Sequence, residues 1–323
     1  MAFKWEKFGL VFDPALHPDR PAWMLGFAQA PNVIVFDHHV RVFFCCRPAP
    51  DAFQKYISYC AFVDLDRQNL FDVINMSSHP VLSLGRLGDF DEFGTYPVSV
   101  LRDGKQVLAV YGGWTRCESV PFNISLGLAR SSDDGVNFEK YGQGPVLSHS
   151  PCEPYVVTSP KLRRYGDRWY LAYTAGRRWI LGDEGRPEII YKLRMATSVD
   201  GMNWLKVNQD IVESRLGDNE AQACPDIFLA NGKYHMFFCY RHGLDFRENR
   251  NRSYRIGYAS STDLYTWSRD DDLAGIDVSD DGWDSEMIAY PTVFDLDGST
   301  YMLYVGNGNG KSGFGLARLR GEL

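Results

Sequence analysis

This sequence is short of the features that usually announce a function. Seven cysteines are scattered through 323 residues with no C-x-x-C pair, and Cys45 and Cys46, adjacent on an expected strand, point to opposite faces. That pattern excludes a disulfide framework and a zinc site. The histidines show no ligand spacing: His38 and His39 fall in a turn, His235 on a strand and His242 beside Arg241. No obligatory zinc and no other cofactor is expected, with a structural ion in the axial channel left open. Basic residues never run beyond pairs such as Arg163-Arg164 and Arg177-Arg178, and the formal net charge is −7. Binding to nucleic acid or to an anionic membrane surface is therefore not expected. No apolar run approaches the ~18 residues of a membrane helix. The opening MAFKWEKFG lacks the apolar segment of a secretory signal, so a reducing, cytoplasmic compartment is the simplest expectation. Walker A, G-x-S-x-G and G-x-G-x-x-G contexts are missing too. Helical periodicity is scarce.

What the chain does have is aromatic content, 14%, and a repeat. GFAQAPNVIVFDHHVRVFFCCR (Gly26 to Arg47) reads as a proline-led strand, a polar turn and a second apolar strand. The pattern returns as TYPVSVLRDGKQVLAVYGGWTR (Thr95 to Arg116), TSPKLRRYGDRWYLAYTAGRR (Thr158 to Arg178), ACPDIFLANGKYHMFFCYR (Ala223 to Arg241) and AYPTVFDLDGSTYMLYVGNGNG (Ala289 to Gly310). The lead prolines, Pro31, Pro97, Pro160, Pro225 and Pro291, are spaced by 66, 63, 65 and 66 residues. A third strand follows each hairpin. Three of these run into a turn and an aromatic residue, as in ATSVDGMNW, which begins a fourth, outer strand.

Four antiparallel strands per repeat describe a propeller blade. The expectation is an all-β fold, one five-bladed β-propeller domain over residues 1–323. The fifth repeat stops after its third strand, and FKWEKFGLVF (Phe3 to Phe12) resembles the fourth-strand segment NFEKYGQGPVL. The N-terminal strand is therefore expected to complete the last blade and close the ring. A β-sandwich or two stacked domains would not impose near-constant spacing.

The repeat also predicts where charge collects. Glu92, Glu220 and Glu286 each stand five residues before a lead proline; Glu153 stands seven before. Asp91 neighbours Glu92, Asp284 lies close to Glu286, and Asp226 follows Pro225. After the second strands stand Arg47, Arg116, Arg177, Arg178 and Arg241. One reading pairs these acids and arginines as braces between blades. The other gathers them at one mouth of the axis, where guanidinium forks suit carboxylate or phosphate. The longest loops follow the same strands, and long loops on one propeller face commonly carry function.

Blade number, proline-led inner strands and ATSVDGMNW together resemble the five-bladed furanosidase-type propeller superfamily, which includes glycoside hydrolase families 43, 62, 32, 68, 117 and 130 and related phosphorylases. The resemblance spans the whole chain at the level of the repeat. It implies an acid before the prolines of blades one and two and another near that of blade three. Here those segments read Gln29-Ala30-Pro31, Thr95-Tyr96-Pro97 and Thr158-Ser159-Pro160, so no family catalytic residue carries over. SSDDGVNF (Ser131 to Phe138) also fits the S-x-D-x-G box of sialidases, which resemble six-bladed rings.

The resemblance implies a carbohydrate-active enzyme that cleaves or transfers a glycosyl group, as hydrolase, phosphorylase or glycosyltransferase. Glu220 or Glu286 is the expected acid or base, with Glu92 as partner. Arg47, Arg116, Arg177, Arg178 and Arg241 are expected to bind an anionic sugar, phosphate or phosphorylated donor, with Trp114, Asp91, Glu153 and Asp226 in the substrate site. Trp114 and Trp179 are placed either to stack on a sugar or to pack on a blade. The alternative is a lectin-like propeller that binds glycans without turnover.

Overall fold

The computed structural model describes residues 2–182 and 185–321. Its strands, in chain order, are β1 (Trp5–Phe12); β2 (Gly26–Val35), β3 (His39–Arg47), β4 (Tyr59–Asp66) and β5 (Val73–Met76); β6 (Thr95–Asp103), β7 (Gln106–Arg116), β8 (Phe122–Ser131) and β9 (Glu139–Lys140); β10 (Val157–Tyr165), β11 (Arg168–Leu181), β12 (Pro187–Ser198) and β13 (Leu205–Lys206); β14 (Ala221–Ala230), β15 (Lys233–Arg241), β16 (Arg255–Ser261) and β17 (Ser268–Arg269); and β18 (Ala289–Leu296), β19 (Ser299–Val305) and β20 (Phe314–Leu319). They form five four-stranded antiparallel sheets, each a blade. The last sheet runs β1-β20-β19-β18, so the N-terminal strand is the outer strand of blade five. Trp5 lies opposite Leu319 and Phe12 opposite Phe314. This pairing covers β20, and β1 becomes the outer edge of its blade.

Blades are held by apolar layers between neighbouring sheets. Phe43 and Phe62 of blade one, for example, share a buried cluster with Val98, Val100 and Ala109 of blade two. Each such side chain stabilises the fold by roughly 1.5–3 kcal/mol relative to exposure. The outer turns repeat as well. Ser131, Ser198 and Ser261 donate to Asp133, Asp200 and Asp263 at 2.6, 2.8 and 3.0 Å, and each aspartate accepts backbone amides of the same turn. These bonds outweigh burial at Asp133 and bring its carboxyl down to about 2. The S-x-D box is therefore a turn that carries the chain from third to fourth strand.

The inner strands carry the feature that matters most for function. All five break register around their lead proline. In four blades the residue before it is left-handed: Ala30 (φ 48°), Ser159 (49°), Cys224 (53°) and Tyr290 (54°). In blade two the Tyr96-Pro97 peptide is cis instead. A non-glycine residue in that region costs roughly 1–3 kcal/mol and persists where the surroundings hold it. The bulges bend the strands and re-aim these side chains toward the axis.

Candidate active site

At one end of the axis the five inner strands and the loops after the second strands enclose a cavity of about 840 Å³. Its axial end presents Gln29, Tyr96, Ser159, Cys224 and Tyr290, all at or beside the bulges. Ser159, Cys224 and Tyr290 also line a second chamber of about 30 Å³ on its far side, so they form a thin floor between the two. Cys224 Sγ donates to Ser159 Oγ at 3.4 Å. Burial lifts the phenols of Tyr96 and Tyr290 well above the ordinary tyrosine range, and the two side chains interact with each other. Both remain neutral donors at physiological pH.

Gln29 is clamped. Its Oε1 accepts from Arg47 Nη2 at 3.0 Å and its Nε2 donates to the Asn309 carbonyl. Arg47 stacks over Phe27 at 4.4 Å and Tyr56 at 5.3 Å and forms no ion pair among the described residues. Arg116 is bound to Asp51 at 2.6 Å and to the Tyr56 carbonyl at 3.3 Å, which fixes the loop after β3. Arg241 is almost fully buried. It donates to the carbonyls of His242, Gly243 and Ile189 and lies 3.6 Å over Phe246. It ties the blade-four loop to the β11–β12 hairpin. Arg186 and Arg247 share Glu188, at 3.4 and 3.3 Å.

Among the described residues the wall thus carries six cations, Arg47, Lys55, Arg116, Arg186, Arg241 and Arg247, against two carboxylates, Glu118 and Glu188. Glu118 is exposed and Glu188 is held between two guanidinium groups. The arginines do not form the even ring expected. Arg177 and Arg178 are exposed and outside the lining, where Arg178 bonds to Asn219 at 2.7 Å.

The acids singled out in the sequence stand elsewhere. Asp91, Glu153 and Asp284 each accept from the tyrosine twenty residues on, Tyr111, Tyr173 and Tyr304, at 2.9, 2.7 and 2.9 Å. Each also meets an outer-strand lysine: Lys140 at 2.5 Å, Lys206 at 2.5 Å and Lys7 at 2.8 Å. Glu220 takes the same place in blade four, with Arg269 at 2.6 Å and the amides of Arg215 and Leu216 at 2.7 Å each. One carboxylate thus latches second strand to fourth in three blades, and a variant of the latch serves a fourth. Glu92 accepts from the Gly88 amide at 2.9 Å, and Glu286 is exposed. Asp226 sits between Lys161 at 2.6 Å and Arg163 at 3.0 Å behind the floor. Glu92, Glu220, Glu286, Asp91, Glu153 and Asp226 do not line the cavity. The expected acid–base roles of the three glutamates therefore meet a geometry that directs them to bracing or to solvent.

The two tryptophans also separate. Trp114 lies between Tyr96, stacked at 6.0 Å, and Phe122 at 4.5 Å. Trp179 meets Phe122 edge-on at 5.6 Å and is only half-buried. Trp179 is the open platform and Trp114 its support. Tyr96, Tyr290, Arg186 and Glu188 escaped the sequence reading. The signal for the tyrosines was their place before a lead proline. Among the described residues no group of three or more His, Cys, Asp or Glu has metal-site geometry, and no helix is long and apolar enough to cross a membrane.

Comparison with known proteins agrees with this architecture. Residues 71–312 match the family model for the glycosyl hydrolases family 32 N-terminal domain. An uncharacterized protein of Mycobacterium tuberculosis is 32% identical over 316 residues, 98% of this chain and 99% of that one. A beta-1,2-mannobiose phosphorylase of a Thermoanaerobacter species is 24% identical over 144 residues, 42% of this chain and 45% of that one. Among solved structures, a glycoside hydrolase superposes with a TM-score of 0.76 at 19% identity, covering 99% of this chain and 93% of that one. A Bombyx mori family 32 beta-fructofuranosidase gives 0.64 at 19% identity over 90% of this chain and 59% of its own. On the match over residues 71–312, the chain belongs to the glycosyl hydrolases family 32 N-terminal domain family.

Proposed function

We propose that this protein takes up a glycan carrying an anionic group in the axial cavity and there cleaves or transfers a glycosyl unit. One observation carries the reading: among the described residues six cations face two carboxylates in the cavity of a chain whose net charge is −7. A low-dielectric pocket of one sign concentrates ligands of the other sign. Trp179 supplies a flat face for a sugar ring, and Glu188, paired with Arg186 and Arg247, offers acceptors for its hydroxyls. Similarity to a phosphorylase over part of the chain supports a transfer in which the accepting group is not water.

The test is titration calorimetry with oligogalacturonate and with a neutral oligosaccharide of equal length, alongside a reducing-sugar assay. The acidic ligand should bind about tenfold tighter at low ionic strength, and the gap should narrow in salt. Equal binding of the neutral ligand refutes the reading. The second reading, a binder without turnover, is favoured by the lack of a carboxylate at the axial end among the described residues. Binding without released sugar across both panels would select it.

A further inference from the structure

In blade three the second and third strands, β11 and β12, have 14 and 12 residues and outrun β10, which has 9. Their extension is a hairpin in the cavity wall. Across it Trp179 pairs with Ile189 and Leu181 with Pro187. Residues two apart on a strand, and residues paired across strands, share one face. That face is therefore apolar at all four positions. The other face carries Arg178, Ile180, Glu188 and Ile190 and is tied to blade four, with Arg178 bonded to Asn219 at 2.7 Å and Glu188 paired with Arg247 at 3.3 Å. The hairpin thus spends its charged groups on a neighbouring blade and turns its apolar face to the cavity, the reverse of what water alone would select.

The loop before β8 meets this face. Phe122 lies edge-on to Trp179 at 5.6 Å, and at the root Ile189 shares a buried cluster with Ile124 and Val156. Above the root the cleft is open. Leu181 is 68% exposed, Pro121 is exposed, and Val120, Phe122, Trp179 and Pro187 are half-buried. All of these except Leu181 line the cavity, so the cleft is continuous with it. Core packing accounts for Ile189 but not for the side chains left open. One sugar ring covers one aromatic face, and the aliphatic surface beyond Trp179 offers its hydroxyls no partner. On the blade-one and blade-five side the same cavity presents Gln29, Arg47 and Asn309. An open apolar groove that runs into a polar, cationic pocket fits one ligand with two halves, a charged head and an apolar tail.

We infer that the glycan taken up here carries an aliphatic aglycone, and that this chain lies in the cleft between the β11–β12 hairpin and the loop before β8, with the sugar toward the axis. Selection is then divided. The cations choose the sugar end by its charge, and the cleft chooses the other end by its length. Trp179 stands at the junction of the two. Each methylene moved from water onto the wall tightens binding about fourfold, a gain that a sugar with a polar aglycone forfeits. The inference rests on the glycan reading of the cavity, and the experiment separates the two.

The full chain is titrated by calorimetry with methyl, butyl and hexyl glucuronide, with the matching neutral glucosides, with hexanol and with oligogalacturonate, the alkyl ligands kept below their aggregation concentrations. The expected result is a rise in affinity of at least about tenfold from methyl to hexyl glucuronide, with the glucosides weaker at every chain length but rising in parallel. Leu181→Asn and Trp179→Asn should each lower the hexyl-to-methyl ratio by about fourfold or more. Leu181 is exposed, so its variant does not depend on repacking the wall. Equal affinity of methyl and hexyl glucuronide, or no binding of hexyl glucuronide up to about 20 mM, overturns the aliphatic aglycone. An unchanged ratio in both variants overturns the cleft as its place. If oligogalacturonate binds and chain length has no effect, the aglycone falls and the glycan reading stands. If chain length matters but the glycosides bind no tighter than hexanol, the cleft survives as an apolar site and the glycan reading falls.

Discussion

Glu220 and Arg269 form an ion pair of 2.6 Å in which neither side chain is exposed to solvent. The glutamate also accepts from Gln222 at 2.8 Å. Burial works against its charge, but Arg269 and these hydrogen bonds outweigh it and hold the carboxyl below the ordinary range. Removing one partner of such a pair strands the other. Glu220→Gln should lower unfolding stability by about 3–5 kcal/mol, read as a shift in denaturant midpoint. An unchanged midpoint would return Glu220 to the list of catalytic candidates.

The same pair sets a pH dependence. A carboxyl depressed in the folded state contributes stability that is present above its unfolded value, about 4.3, and is lost as pH falls through the folded one. Parent stability should therefore drop below about pH 4, and part of that slope should vanish in Glu220→Gln. Urea titrations at pH 3 to 6 measure it.

Lys161 predicts the opposite limb. Burial, opposed by Asp226 and reinforced by Arg163, brings its ammonium down to about 8. In the unfolded chain a lysine titrates near 10.4. Between these values the unfolded state binds more protons, so stability should rise with pH across that window. Groups facing it are Asp226 and Cys224 from β14 and Arg163 from its own strand. Lys161→Met should flatten the rise between pH 8 and about 9.5, measured by urea midpoints.

Tyr173→Phe and Tyr304→Phe each delete one hydrogen bond to a buried carboxylate. Each should cost about 1.5–3 kcal/mol. They lie in different blades, so the double variant should be additive within about 0.5 kcal/mol. Ligand binding should not change. A binding defect with intact stability would place these tyrosines in the site instead.

Trp179→Ala and Trp114→Ala should differ in kind. The first removes an open platform and should weaken glycan binding with little change in Tm. The second removes a ring packed between Tyr96 and Phe122 and should cost on the order of 3 kcal/mol of stability. Calorimetry and melting curves on both variants decide it.

The fold was legible because its signals are local. A proline every 63 to 66 residues, alternation on the strands and a stray N-terminal strand suffice to count blades and close the ring. The acids misled for the same reason. Glu220 and its counterparts recur because four of the five blades use such a latch, whereas a reaction needs its acid once. Periodic charge therefore pointed to bracing, and the partners that prove it, such as Lys206 for Glu153, lie 53 positions away in sequence. The site was hidden in backbone geometry. Nothing in the letters Ala30-Pro31 or Tyr290-Pro291 announces a left-handed residue that swings a neighbour toward the axis.

The closing strand pair has a mechanical consequence. Trp5 lies opposite Leu319, and Arg320 donates its amide to the Lys4 carbonyl at 2.8 Å, so the chain enters and leaves the ring side by side. Tension applied at residues 4 and 320 loads the β1–β20 bonds one after another, like a zipper pulled from its tab, and not all together as in shear. A ring closed by this one strand pair is thus easily peeled open by a pull on its two ends, with blade five giving way first.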